Sequence, residues 1–227
     1  MKNYRNDLFT EFIKRDEKLQ ELYRQIENHP NHKRKITLEE SLHEQKGKII
    51  YDRRQVTIEI NTKLGEESIL ILAHELMHYL LVLDGALLPI TVKENVSSKA
   101  ESLEYILMKS ITHHFLLKQK LDSIGFQEIQ VHYALRDELE EVPSWYYHDE
   151  EFWLLELYDR STFAKNYDFV ALEERFELRG LNSVYELLQK SPKKTIEDIN
   201  ALSKSLIREF NCENILVLKE LDEYTSW

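Results

Sequence analysis

The run His74-Glu75-Leu76-Met77-His78 puts two imidazoles four residues apart with a carboxylate beside the first. On a helix this spacing sets both rings on one face, about 40 degrees apart in rotation and one turn apart along the axis, so both reach one ion. That is what a tetrahedral zinc site asks of a single helix. Glu75 then lies where it can take a proton from a water that the ion acidifies from about 15.7 to roughly 7. The run is embedded in apolar sequence, where two histidines and a glutamate are costly to bury unless paired or metal-bound. The opposing reading puts them on the solvent-facing edge of an ordinary helix.

A third ligand must come from elsewhere, and the expected helix at 99–123 offers Glu104 and Glu101. Glu104 is preferred, because Ile111, seven residues on, is only about 20 degrees away at the border of the apolar face. Glu101 has the spacing of a capping box with Ser98, and Glu94 is a more distant choice. His113 and His114 could help polarise a scissile carbonyl, but a histidine this close to a ligand is more often a packing or surface residue. Tyr147 to Glu151 reads as a solvated helix start, and the aromatic band from Trp145 to Phe169 as core.

These side chains need elements to hold them. Apolar residues at helical spacing predict one long helix over 3–28, ended by His29-Pro30. Thr37 and Glu40 form a capping-box pattern, which predicts a helix from 37 to about Gln45, with Gly47 beyond its end. Alternation in Ile49 to Tyr51 and Val56 to Ile60, around Asp52-Arg53-Arg54, predicts a hairpin. Asn61 to Gly65 leads into a buried helix over 66–83 that carries the histidines. Beyond Gly125 the chain reads as mainly helical, with breaks near Pro143, Gly180 and Pro192.

With 30 Lys+Arg against 41 Asp+Glu, the formal charge of −11 opposes attraction to phosphate backbones, so direct nucleic-acid binding is not expected. Lys33-Arg34-Lys35, Arg53-Arg54 and Lys193-Lys194 read as solvated clusters. One cysteine, Cys212, leaves no internal disulfide and no cysteine-based zinc finger. Without an apolar signal core near Met1 or a membrane-spanning run, the expected location is cytoplasmic.

The segment from Val56-Thr57-Ile58-Glu59-Ile60-Asn61 through Ile71-Leu72-Ala73-His74-Glu75-Leu76-Met77-His78-Tyr79-Leu80-Leu81 resembles the ImmA/IrrE family of zinc metallopeptidases, which accompany phages, mobile elements and stress-response regulators. The resemblance implies Zn2+ held by His74, His78 and Glu104, with Glu75 as catalytic acid and base. It also implies a protein substrate, such as a transcriptional repressor. Met77 stands where the family usually has Gly, and Glu104 is followed by Tyr105-Ile106-Leu107-Met108 in place of the family's second motif.

The expected fold is α+β. A zincin-like core over 1–124 holds a small antiparallel sheet, the histidine helix and a second ligand helix, and a mainly helical region over 125–227 packs on it. The exposed edge of Gln55 to Ile60 is expected to pair with an extended substrate. The alternative function is a non-enzymatic regulator or interaction protein on the same zinc scaffold.

Overall fold

The computed structural model describes residues 4–41, 47–92, 97–108, 111–126, 150–163 and 168–224. The protein is α+β, and its contacts divide it into two compact units. The first comprises Met1–Gly85, Leu117–Ile129 and Glu220–Trp227, the second Ala86–Leu116 and Gln130–Lys219. Each is assembled from separated stretches of the chain.

The first unit opens with two helices, α1 (Tyr4–Ile13) and α2 (Glu17–Glu27), in place of one long helix. Asp16 is the reason: its backbone is extended and its carboxylate accepts from Leu19 N at 2.9 Å, which starts a new helix. α2 buries Leu19, Leu22 and Ile26.

A strand, β1 (Lys35–Glu40), follows where a helix was expected. β1 pairs in parallel with β3 (Gln55–Ile60), and β3 pairs antiparallel with β2 (Lys48–Tyr51) as the alternation predicted. The sheet is therefore mixed, with order β1-β3-β2. Pairing overrides the apparent capping box: Thr37 is buried beside Thr57, their hydroxyls 3.2 Å apart, while Glu40 accepts from Thr62 N at 3.2 Å and from the Thr62 hydroxyl. β3 has neighbours on both sides, so its edge is not open to a substrate as expected.

α3 (Glu66–Leu83) spans the predicted helix. The Asn61 side chain accepts from Lys63 N, and Gly65, at φ 63°, turns the chain into α3. From Ile71 to Leu83 every residue is buried, as an apolar circumference requires. α3 packs on β3, β2 and α2.

The chain's end closes this unit. Arg34, expected in a solvated cluster, is buried. It donates to Asp52 O, Leu221 O and Asp222 Oδ1, each at 3.0 Å. Tyr224 then meets the Tyr51 ring edge-on at 6.3 Å.

The second unit pairs β4 (Leu88–Thr91) antiparallel with β5 (Leu216–Lys219), a two-stranded ribbon in which Pro89 is tolerated because β4 is an edge. Among the described residues its helices are α4 (Ser98–Met108), the first part of α5 (Ile111–Ser123), α6 (Glu150–Ser161), α7 (Phe169–Leu178), α8 (Asn182–Lys190) and α9 (Ile196–Glu209). Leu103, Ile106, Phe152, Leu155, Phe176 and Leu206 belong to one buried cluster. Of the described members of the aromatic band, Phe152, Trp153, Tyr158 and Phe163 are buried and Phe169 is half-buried, whereas Trp145 to His148, Tyr167 and Pro143 lie outside the described residues. α7 ends at Gly180, φ 69°, and α8 ends just before Pro192. Among the described residues no helix is long and apolar enough to cross a membrane.

Replacing Arg34 by Met removes three bonds from a buried position and should lower stability by about 2–4 kcal/mol, measured by urea unfolding. Lys33 and Arg34 hold the Asp222 carboxyl below its usual range. Its contribution is therefore complete above a pH of about 4 and is lost as pH falls through the lower folded value. Asp222→Asn should flatten that acid limb when unfolding is compared at pH 5 and pH 3.

Candidate metal centre

α3 presents two adjoining rows of side chains. Ile71, Glu75 and Tyr79, four residues apart, face β2: Gly47, just before that strand, abuts Ile71 and Glu75, and the Tyr51 ring lies 6.4 Å from Tyr79. His74 and His78 form the next row. Their Nε2 atoms are 3.0 Å apart, and the rings meet edge-on at 4.7 Å between centroids. His74, Glu75 and His78 are only 2–4 % exposed.

His114 completes the group. Donor atoms of His74, His78 and His114 lie within 4.8 Å of one another, and all three side chains are buried. Three buried histidines can thus hold a metal ion; this is the one such group of His, Cys, Asp and Glu among the described residues. His114 is carried by α5. Its Nδ1 lies 2.6 Å from Asp159 Oδ2 on α6, which leaves Nε2 to face an ion. A carboxylate on the far nitrogen is the arrangement that fixes the tautomer of ligating histidines. Burial pushes the Asp159 carboxyl up, and the neighbouring His114 opposes that shift.

The donor set fits a small divalent cation. Zinc–nitrogen bonds of about 2.0–2.1 Å in a tetrahedron put ligand nitrogens roughly 3.3 Å apart, close to the observed His74–His78 separation. Among the described residues the converging donors number three.

The structure brings His74 and His78 together as the spacing predicted, and it pairs Glu104 with Thr91. One Glu104 oxygen accepts from Thr91 N at 3.1 Å and the other from the Thr91 hydroxyl, tying α4 to the end of β4. Glu104 does not belong to the converging group, Glu101 is exposed in the first turn of α4, and Glu94 lies outside the described residues. His114, read from sequence as more often a packing or surface residue, is the third member of that group. One signal pointed to it: His114 falls in the row Ile111, Leu117 and Leu121, where an apolar residue is expected. Nothing in the amino-acid order links it to Asp159.

Glu75 is buried, and desolvation pushes its carboxyl up to about 8. His113 is also buried. Desolvation first, then His114, pushes its imidazole down to about 4, so it stays neutral near pH 7; a backbone bond with Leu87 opposes the shift. Taken together, fold and site define an α+β protein with a buried three-histidine group competent for a metal ion. No family model, curated protein or solved structure matches the chain.

His114→Ala should weaken metal binding by on the order of 100-fold or more, while Glu104→Gln leaves it near the native value, read by competitive chelator titration. Asp159→Asn should weaken binding by roughly 10- to 100-fold, the usual effect of losing the partner of a ligating histidine.

Proposed function

We propose that the protein is a zinc-dependent metallopeptidase in which His74, His78 and His114 hold the metal and Glu75 is the general base. The observation that carries this reading is the convergence of three buried imidazoles, with a buried carboxylate, Glu75, next in sequence to the first. A purely structural site has no use for that carboxylate and usually fills its fourth position with protein. Imidazoles suit zinc but also copper, iron and nickel, and the adjacent base favours hydrolysis.

Bound zinc would supply a Lewis acid and a water acidified to near neutrality. Glu75 takes the proton from the attacking water and later delivers one to the leaving amine. Desolvation raises its proton affinity and a nearby cation lowers it, two opposing effects that leave a base poised near neutral pH. Asp159 holds the His114 ring by its far nitrogen. With β3 enclosed by its neighbours, an extended substrate would pair with β2, whose exposed Lys48 and Ile50 alternate with the residues facing α3.

The HExxH helix and the preceding strand support a zincin-like core of the ImmA/IrrE kind, with His114 in place of the family's glutamate. On that resemblance the substrate is an intracellular protein, such as a transcriptional repressor. The acidic chain favours recognition of the protein over recognition of nucleic acid.

Zinc-loaded protein incubated with a proteome-derived peptide library should generate new termini detectable by mass spectrometry. Glu75→Gln should reduce their yield by at least about 100-fold, the scale of a lost general base. Undiminished cleavage by a Glu75→Gln variant that still carries zinc would refute the assigned role.

A further inference from the structure

Gly47 is a glycine for reasons of space. Gly65, Gly85, Gly125 and Gly180 all occupy the positive-φ region that favours glycine, and Gly47 does not. A methyl group at Gly47 would lie 2.5 Å from Ile71 Cγ2, 2.6 Å from Glu75 Oε1 and 2.8 Å from Glu75 Cγ. Cβ contacts this short essentially never occur, so something would have to shift. At Gly65 and Gly180 the same addition meets nothing within 4 Å.

The surroundings leave few routes for relief. Glu75 is 4 % exposed, and Ile71 lies on the same face of α3, one turn before it. Along the facing chain, Ile49 is half-buried and Tyr51 buried, whereas Lys48 and Ile50 are exposed. The inner face of β2 thus opposes the Ile71–Glu75–Tyr79 row, with its one side-chain-free position against the carboxylate.

We propose that Gly47 is a positioning residue for Glu75: the missing side chain leaves a notch in the β2 wall that seats the carboxylate beside the histidine group. This rests on the reading of Glu75 as the base of a metal centre. A larger residue at 47 would swing the carboxylate away while leaving the imidazoles in place. Metal affinity and base position are therefore separable at this residue, and the size of residue 47 governs only the second.

The test uses the full chain loaded with cobalt(II), whose visible absorption reports binding, and acetohydroxamic acid as probe. A hydroxamic acid chelates a site cation and passes its proton to a neighbouring carboxylate, so its affinity reads the position of Glu75. In Gly47→Ala the cobalt affinity should stay within about twofold of native, while probe affinity falls about 10-fold or more, the scale of one hydrogen bond to a charged acceptor. Glu75→Gln should show the same loss. Gly47→Ala combined with Glu75→Asp, which shortens the side chain by one methylene, should recover part of it, which general destabilisation would not.

If Gly47→Ala does not fold, the comparison moves to Ile71→Ala and Gly47→Ala/Ile71→Ala, where only the clash with Glu75 remains. Native probe affinity in a cobalt-loaded variant with alanine at 47 overturns the positioning role and leaves the metal centre standing. Failure of the native protein to take up cobalt overturns both.

Discussion

Two imidazoles and a carboxylate inside a helix that is buried on every side form the constraint on which the rest of this structure depends. From Ile71 to Leu83 no residue of α3 reaches solvent freely, so polar atoms at 74, 75 and 78 cannot be satisfied by bulk water. Burial alone drives Glu75 toward its neutral form. The histidines turn toward each other, and His114 arrives with one nitrogen already engaged by Asp159. Such an arrangement is expensive in an apolar core, and a cation among the three rings would repay the cost.

Within the first unit, the elements around α3 form a frame that sets where its side chains stand. The mixed sheet gives α3 a wall, and β2 contributes a bare backbone position opposite Glu75 and an aromatic ring opposite Tyr79. That wall is itself braced. Arg34 ties the start of β1 to the turn between β2 and β3 and to residues 221 and 222, and Tyr224 covers Tyr51. Residues 220–224, remote in sequence from the hairpin, are thus part of its support.

Within the second unit, Glu104 and Asp159 show how similar carboxylates acquire different roles. Glu104 receives two hydrogen bonds from Thr91 and joins a helix to a strand, whereas Asp159 faces one imidazole nitrogen. Distance from solvent does not separate them, since both are at least partly buried. The partner does: a backbone amide and a hydroxyl make a structural anchor, and an imidazole makes an orienting contact.

The α+β class, the histidine helix, the β2–β3 hairpin and the meeting of His74 with His78 were legible in the amino-acid order. Each rests on local periodicity or on residues within one or two turns, and the helical spacing of 3.6 residues already places such side chains on a common face. Misreadings arose where a local pattern had a distant competitor. Thr37 and Glu40 look like a helix start until β3 offers a strand to pair with, and Asp16 divides a seemingly continuous helix through one side-chain bond. Tertiary structure alone decided that His114 joins the two motif histidines in one group, that Arg34 is buried, and that Gly47 lies against Ile71 and Glu75. The physical reason is one of range: periodicity tells which way a side chain points from its own element, but which donor or void it meets is set by packing between segments that sequence order keeps far apart.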